Sequence, residues 1–380
     1  MCGIVGGIAH RDVNEILVEG LRRLEYRGYD SAGLAVLDDA GIIQRCRRMG
    51  KVKELEAGIE AAPFSGKIGI AHTRWATHGK PSQENSHPHM SGERLVIVHN
   101  GIIENHEELR EELQAAGYVF NSQTDTEVIV HLLHQNLQKI SSLTDAVKET
   151  ITRLDGAYAL GVISADHPGV LVAARQGSPL VIGVGSGEHF IASDQLALLQ
   201  VTDRFIFLDE GDVAELTTDY VHIWDADNSE VVHDVNVFEH KMDAADKGEF
   251  RHYMMKEIYE QPDVVRNCLE GRINKTRLLE QAFGIKAKEV FDQTQAVQII
   301  ACGTSYHSGM VAKYWIESLV GIPCQIEVAS EYRYRKTVAL PNSLFITISQ
   351  SGETADTLAA LRKAKEIGFN ASLSICNVPG

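Results

Sequence analysis

The first nine residues limit the possible folds and functions of this chain most, because they place a cysteine at the start of an apolar, glycine-rich strand. They read Met-Cys-Gly-Ile-Val-Gly-Gly-Ile-Ala. Once Met1 is removed, Cys2 is the N-terminal residue and carries a thiol and a free α-amine, whose reference pKa of about 8 lets it accept the thiol proton near neutral pH. Nucleophile and base then belong to one residue. The strand behind them predicts a terminus fixed inside a site; the alternative is an incidental cysteine at a disordered start.

Size and charge narrow the class of protein. A chain of 380 residues is too long for one ordinary core, so two or more domains are expected. Its 36 basic and 52 acidic residues give a formal charge of −16, which disfavours nucleic acid or an anionic membrane as a partner. The sequence has neither an apolar run of about 20 residues nor the basic start of a signal peptide. Six widely spaced cysteines indicate a reduced, cytoplasmic protein without structural zinc.

The two halves of the chain differ in their order of strands and helices. Strand patterns occupy much of the first hundred residues and return from residue 157 to about residue 232, with helices between them. This order predicts an α+β fold of sheets covered by helices. Residues 238–256 form a charged stretch typical of a linker, and strand-turn-helix units follow later. We expect a first domain at 1–235, a linker with connecting helices at 236–285, and a second domain at 286–380.

A polar cluster follows the predicted strand at residues 67–72. Its members are Arg74, Trp75, Thr77 and His78. A guanidinium can hold a carboxylate through two hydrogen bonds, so this cluster suits the α-carboxylate of an amino acid. The alternative is a surface arginine beside a core tryptophan.

Two further polar groups in the first half have both a structural and a chemical interpretation. Asn100 and Gly101 follow a strand at 95–98, where an Asn-Gly pair usually forms a turn. The pair also offers an amide NH2 beside an unhindered backbone N–H, the two donors that an oxyanion hole needs. Asp125 lies in a Thr-Asp-Thr-Glu segment that predicts a capping box, where its charge favours the helix dipole.

Sites for metals and nucleotides are not supported by the sequence. His87 and His89 flank Pro88 without other ligands at metal spacing, so we expect a solvated loop there. Neither a Walker loop nor a Gly-x-Gly-x-x-Gly fingerprint follows the strands of the second half.

Two turns of the second half follow buried strands and open helices, which predicts a doubly wound parallel sheet with sites at the carboxyl ends of its strands. Hydroxyls and N–H groups at helix starts suit a phosphate; the alternative is that serine and threonine serve only as turn and cap residues. The polar residues of these turns are Cys302, Gly303, Thr304 and Ser305, and then Ser349, Gln350, Ser351 and Thr354.

Taken together, these motifs resemble the family of glutamine-dependent glucosamine-6-phosphate synthases. The opening Cys-Gly-Ile-Val-Gly is similar to that of all class II glutamine amidotransferases, whose fold is the N-terminal-nucleophile αββα sandwich. The stretches at 74–79, 99–101 and 124–127 look like that family's site, and the stretch at 24–31 looks like the synthase version. Ser-Gln-Ser-Gly-Glu-Thr at 349–354 resembles the phosphate loop of sugar isomerase (SIS) domains. The resemblance covers the whole chain.

The resemblance implies that glutamine is hydrolysed at a cysteine and that the ammonia reaches fructose 6-phosphate, giving glucosamine 6-phosphate and glutamate without a metal or organic cofactor. The implied catalytic residues are Cys2, Asn100 and Gly101. The implied glutamine-binding residues are Arg74, Trp75, Thr77 and His78 for the α-carboxylate side and closure, and Asp125 for the α-ammonium. Both turns of the second half would bind the sugar phosphate.

The resemblance also implies a longer protein, a homodimer formed through SIS domains. The family carries two SIS subdomains and this chain ends within the first, so we expect it to support only the glutaminase half. Two alternatives stay open. Another class II amidotransferase would need a phosphoribosyl or ATP-pyrophosphatase loop, and neither is present. A non-enzymatic module would bind sugar phosphate while Cys2 stays inert.

Overall fold

The chain divides into two compact units, Met1–Asp246 and Lys247–Gly380. The computed structural model describes residues 2–25, 29–75, 80–238, 250–269, 273–274, 277–278, 283, 286–350, 352 and 354–376. The domain boundaries that we expect near residues 235 and 286 lie on either side of the division between the units, and they stay a prediction.

The described part of unit 1 consists of two antiparallel sheets and five helices. Its strands are β1 (Gly3–Ile8), β2 (Ser31–Leu37), β3 (Ile43–Met49), β4 (Ile68–Arg74), β5 (His89–Ser91), β6 (Leu95–Ile103), β7 (Gly156–Ser164), β8 (Leu171–Gln176), β9 (Val181–Val184), β10 (His189–Ala192), β11 (Arg204–Phe207), β12 (Val213–Leu216), β13 (Val221–Trp224), β14 (Glu230–Val231) and β15 (Asn236–Val237). Its helices are α1 (Asn14–Arg23), α2 (Val52–Ala61), α3 (His106–Ala115), α4 (Thr126–Leu137) and α5 (Leu143–Ile151), and a 3-10 turn lies at Gln195–Leu198. The strand orders are β15-β11-β9-β10-β1-β4-β2-β3 and β14-β13-β12-β8-β7-β6-β5.

Alternation of side chains along the strands explains why the two sheets stack face to face. In β1, Ile4 and Ile8 enter one buried cluster, whereas Val5 between them enters another. The first cluster also receives Val96 and Val98 from β6, so it lies between the sheets. The helices α1 and α2 cover the outer face of the first sheet, and α3, α4 and α5 cover that of the second. The predicted αββα sandwich is therefore confirmed.

Unit 2 contains a parallel four-stranded sheet in its described part. Its strands are β16 (Ile273–Asn274), β17 (Arg277–Leu278), β18 (Ala296–Ala301), β19 (Cys324–Val328), β20 (Ser343–Ile348) and β21 (Ala371–Ile375), and the last four form the sheet in the order β19-β18-β20-β21. Its helices are α6 (Tyr253–Leu269), α7 (Ala287–Gln293), α8 (Gly303–Trp315), which continues into a π-helical turn at Ile316–Val320, α9 (Ala329–Tyr334) and α10 (Ala355–Ile367). The predicted parallel sheet is confirmed.

The helix α6 contains a proline in its interior. It begins at Tyr253 and runs through Pro262 to Leu269. A proline inside a helix removes one backbone hydrogen bond, and the helical segments on both sides of it persist.

Among the described residues, none of the helices combines the length and the apolar character that a membrane span requires.

Candidate active site

Cys2 is held at the start of β1, against the end of β4. Gly3 pairs with Thr73 across these strands, and a Cβ on Gly3 would come within 2.7 Å of Thr73 Oγ1, so glycine allows the close approach. The Trp75 N–H donates to Cys2 Sγ at 3.2 Å, and the thiol lies 3.5 Å from the Trp75 carbonyl oxygen. Burial raises the pKa of the Cys2 thiol. The thiol therefore stays protonated near neutral pH and needs a base to become a nucleophile.

Asn100 lies beside Cys2 and belongs to β6 of the second sheet. Its Nδ2 donates to the Cys2 carbonyl oxygen at 3.3 Å. The predicted turn at the Asn-Gly pair was wrong, because β6 continues without a break to Ile103. Gly101 has a φ of 140°, and a Cβ there would meet the Ala157 carbonyl oxygen at 1.9 Å. Glycine is required here for the close approach of β6 and β7, and not for a turn.

His72 is a member of this site that the sequence patterns did not single out. It is 1% exposed, and its Nε2 lies 2.8 Å from Asn100 Oδ1 and 3.1 Å from the His99 carbonyl oxygen. Burial lowers the pKa of His72 to about 3, so the imidazole is neutral at physiological pH. The available sequence signal was alternation along β4: Ile70 enters the cluster between the sheets, and His72 two residues later points to the same face.

The segment with His87 and His89 is buried, so the prediction of a solvated loop was wrong. The ring of His87 lies 4.1 Å from that of His72 and 4.8 Å from that of His89. Both imidazoles find hydroxyl partners in the segment that opens α4. His87 Nε2 lies 2.8 Å from Thr126 Oγ1, and His89 Nε2 lies 3.1 Å from Thr124 Oγ1. These contacts join residues that lie far apart in the sequence, and at the Nε2 atoms of both histidines they take the place of hydrogen bonds to water.

Because it buries neutral histidines, the folded protein is expected to lose stability in mild acid. Burial lowers the pKa of His72 to about 3 and that of His87 well below its ordinary value, whereas both titrate near pH 6.5 in the unfolded chain. Below pH 6.5 the unfolded state therefore binds more protons than the folded state, and stability falls as the pH falls. We expect these two groups to lower the free energy of unfolding by about 2 to 3 kcal/mol between pH 7 and pH 5.5. Denaturant titrations at both pH values measure this, and an unchanged free energy would contradict the burial of two neutral imidazoles.

Arg74 is buried at the end of β4, and Trp75 is exposed. Arg74 is 3% exposed, and its Nη1 lies 3.8 Å from Asp30 Oδ1. The Trp75 side chain is 55% exposed. The alternative of a surface arginine beside a core tryptophan was therefore wrong on both counts. Thr77 and His78 lie outside the described residues.

Asp125 lies at the start of α4 and is 4% exposed. Its Oδ2 accepts the Ile103 N–H at 2.9 Å and lies 4.0 Å from His99 Nδ1. These contacts fasten the start of α4 to β6, the strand that carries Asn100. The structure thus places a buried carboxylate against the strand that carries Asn100 and Gly101.

The two hydroxyl-rich turns of unit 2 lie at the carboxyl ends of the parallel strands, on the same side of the sheet. They follow β18 and β20, which are adjacent and parallel. Cys302 occupies the N-cap position of α8 and Thr354 that of α10, and neither side chain makes a capping hydrogen bond. Both helix N-termini therefore lie at this end of the sheet with their N–H groups available. Ser349 Oγ accepts the Gly352 N–H at 3.2 Å and lies 3.2 Å from Thr354 Oγ1. Such a concentration of donors suits a phosphate.

The described members of these turns differ in their exposure. Ser349 is buried, Cys302, Ser305 and Thr354 are half-buried, and Gly303, Thr304 and Gln350 are exposed. Burial raises the pKa of the Cys302 thiol. Ser351 lies outside the described residues.

Comparison with known proteins identifies relatives of both units. Residues 72–200 match the family described as glutamine amidotransferase domain, and residues 291–380 match that described as SIS domain. The chain is 64% identical over 378 residues to the glutamine–fructose-6-phosphate aminotransferase (isomerizing) of Pseudomonas putida, covering 100% of this chain and 62% of that protein. With the protein of the same name from Escherichia coli the identity is 60% over 380 residues, again covering 100% of this chain and 62% of the relative. Over its whole length the chain is therefore similar to these aminotransferases, and its two matched regions are similar to a glutamine amidotransferase domain and an SIS domain.

The chain spans 62% of the length of these aminotransferases. A solved structure, the glutamine phosphoribosylpyrophosphate amidotransferase from B. subtilis, matches with a TM-score of 0.53 at 19% identity, covering 100% of this chain and 82% of that one. At this identity the likeness shows the fold alone. The resemblance drawn from the motifs is confirmed, and the matches favour the aminotransferase family over the other class II amidotransferases.

Proposed function

We propose that unit 1 hydrolyses glutamine with Cys2 as the nucleophile. The observation that carries this proposal is the pair of contacts at Cys2: its thiol meets the Trp75 backbone, and its carbonyl oxygen accepts from the Asn100 amide. A nucleophile and an amide donor therefore lie side by side. In a chain from which Met1 has been removed, the free α-amine of Cys2 adds the base that the protonated thiol needs.

In the proposed reaction, glutamine, Cys2 and water account for every bond that forms or breaks and for every proton that moves. Cys2 Sγ attacks the side-chain amide carbon of glutamine while the α-amine takes the thiol proton. The amide oxygen becomes an oxyanion, which Asn100 Nδ2 and the Gly101 N–H bind. Collapse of this intermediate breaks the carbon–nitrogen bond, and the proton on the α-amine leaves with the ammonia. Water then hydrolyses the γ-glutamyl thioester to glutamate and restores the thiol.

Two buried charges would select a free amino acid over a peptide amide. Arg74, with Thr77 and His78, would bind the α-carboxylate, and Asp125 would bind the α-ammonium. The positions of the two residues support this: Arg74 directly precedes Trp75, whose backbone N–H donates to Cys2, and Asp125 accepts from Ile103 of β6, the strand that carries Asn100. The exposed indole of Trp75 would close over the bound substrate.

We further propose that the turns of unit 2 bind the phosphate of fructose 6-phosphate, the acceptor of the ammonia, and that the products of the whole protein are glucosamine 6-phosphate and glutamate. The hydroxyls and the helix starts at the edge of the sheet support this. Dimerisation through SIS domains stays a prediction.

Substitution Ser349→Ala is expected to weaken the binding of fructose 6-phosphate about tenfold. A hydrogen bond to a charged group contributes about 1.5 to 3 kcal/mol, and the buried Ser349 hydroxyl would make one to the phosphate. Isothermal titration calorimetry on the 380-residue chain measures the affinity. Ser318→Ala, whose hydroxyl contacts the Trp315 carbonyl oxygen within the same unit, is the matched control. Equal affinity of Ser349→Ala and the parent chain would remove Ser349 from the phosphate site.

A product assay tests the proposed function as a whole. The chain, with Cys2 shown by mass to be its first residue, is supplied with glutamine and fructose 6-phosphate, and glutamate and glucosamine 6-phosphate are quantified separately. We expect glutamate without glucosamine 6-phosphate, because the resemblance implies that this chain supports only the glutaminase half. Formation of both products would contradict that expectation. The absence of glutamate would contradict the proposal.

A further inference from the structure

The side-chain amide of Asn100 is held at both of its ends. On one side its Nδ2 donates to the Cys2 carbonyl oxygen, and on the other its Oδ1 lies 2.8 Å from His72 Nε2. Asn100 is 7% exposed and His72 is 1% exposed, so water has little access to either side chain. Which end of the amide faces Cys2 is therefore decided by protein groups.

The proton on His72 can be placed from its second contact. His72 Nε2 also lies 3.1 Å from the backbone carbonyl oxygen of His99, which can only accept a hydrogen bond. Nε2 therefore carries the proton and shares it between the His99 carbonyl oxygen and Asn100 Oδ1. A neutral imidazole carries one proton, so Nδ1 holds a lone pair.

This tautomer forbids the flipped amide. If the Asn100 side chain turned over, its NH2 would face the His72 Nε2–H, which places two donors together. Its oxygen would at the same time face the Cys2 carbonyl oxygen, which places two acceptors together. An alternative hydrogen bond from water is restricted by the burial of both residues.

We propose that His72 is a positioning residue for glutamine hydrolysis, which holds the NH2 of Asn100 toward Cys2 before the substrate arrives. This inference rests on the proposed function, since an oriented NH2 matters only where an oxyanion forms. Donors that are oriented in advance stabilise the transition state without reorganising at the moment of reaction. His72 itself does not contact the reacting atoms and acts through Asn100.

The surroundings of His72 keep its ring in this orientation. The ring of His87 packs against it with a centroid distance of 4.1 Å and an interplanar angle of 31°, and His87 in turn contacts the Thr126 hydroxyl. The same Thr126 hydroxyl lies 2.9 Å from His99 Nδ1, and His99 supplies the carbonyl oxygen that accepts from His72. The histidine is therefore fixed through both its face and its N–H.

The test compares two substitutions of His72 in a glutaminase assay. His72→Phe keeps a ring for stacking but removes the donor, and it is expected to lower kcat for glutamine hydrolysis about tenfold with KM changed less than about threefold. His72→Gln places an amide NH2 near the former Nε2 and is expected to retain most of kcat. His131→Phe, a buried histidine that contacts Ser91 and not Asn100, is the matched control and should keep the parent kcat.

A double substitution separates positioning from a general structural role. In an Asn100→Ala background, His72→Phe is expected to cause no further loss of kcat, because its effect passes through Asn100. An equal loss in both backgrounds, or a loss confined to KM, would overturn the proposal. If His72→Phe does not fold, the tautomer of His72 in the parent chain tests the proposal instead. Nitrogen NMR is expected to show the His72 proton on Nε2. A proton on Nδ1 alone would overturn the proposal. A parent chain without glutaminase activity would instead refute the proposed function.

Discussion

Substitution Cys2→Ala is expected to abolish glutamine hydrolysis while leaving the fold intact. The thiol is the only group of residue 2 that can form the thioester, and removing the nucleophile of a comparable catalytic group costs about 10⁴-fold or more in kcat. Alanine fits the space at the head of β1, and the strand pairing there depends on the backbone of Gly3 and Ile4. Glutamate release and thermal unfolding should be measured on the same preparation.

The control for Cys2→Ala is an exposed cysteine of the other unit. Cys376→Ala removes a free, exposed thiol of unit 2 that is not a member of the proposed glutaminase site, and it should leave glutamate release unchanged. Persistent hydrolysis in Cys2→Ala would remove Cys2 from the role of nucleophile.

Substitution Asn100→Ala is expected to lower kcat for glutamine hydrolysis by about 10² to 10³, with a smaller change in KM. Loss of one oxyanion donor has an effect of this size, because the donor acts on charge that develops only in the transition state. Steady-state kinetics with glutamine measure both constants. The variant should still react with an electrophilic glutamine analogue at Cys2, since the nucleophile is retained.

The matched control for Asn100→Ala is Asn105→Ala. Asn105 lies five residues further along the chain, and its amide donates to the Arg153 carbonyl oxygen, away from Cys2. Its loss should affect stability and not kcat. A fall confined to KM in Asn100→Ala would place Asn100 in substrate binding and not in the oxyanion hole.

Much of the fold could be predicted because local patterns agree with the packing. Alternation in the strands of unit 1 predicts sheets with two different faces, and Ile4 and Val5 do enter clusters on opposite sides of β1. The strand-turn-helix repeats of unit 2 predict a parallel sheet, since they leave no room for hairpins. Gly368 predicts the end of α10, and it caps that helix with a φ of 90°.

The predictions that failed concern residues whose partners lie outside the local motif. An Asn-Gly pair is a strong local signal for a turn, but β6 passes through it because Gly101 allows the Ala157 carbonyl oxygen of β7 to approach. The capping box at 124–127 also failed: the Glu127 carboxylate accepts from the N–H groups of Asn121 and Ser122, and not from Thr124. In each case a contact that the local motif does not contain decided the conformation.

The sequence predicts the polar residues that carry the chemistry of the candidate site, but it does not predict the residue that positions Asn100. Cys2, Asn100, Arg74 and Asp125 carry chemistry that a motif can indicate. The sequence around His72 does not indicate a role, because a single histidine in an apolar strand can have many different neighbours in the folded protein. Its role becomes apparent only from its contact with Asn100. The contact that gives it meaning joins β4 to β6, which belong to different sheets.

Covalent trapping with an electrophilic glutamine analogue tests whether Cys2 is the nucleophile of unit 1. The chain, with Cys2 shown by mass to be its first residue, is incubated with the analogue and mapped by peptide mass spectrometry. We expect one adduct per chain, on the peptide that begins with Cys2, and protection by excess glutamine. An unmodified Cys2, or an adduct on another cysteine, would contradict the assignment of Cys2 as the nucleophile of a glutaminase.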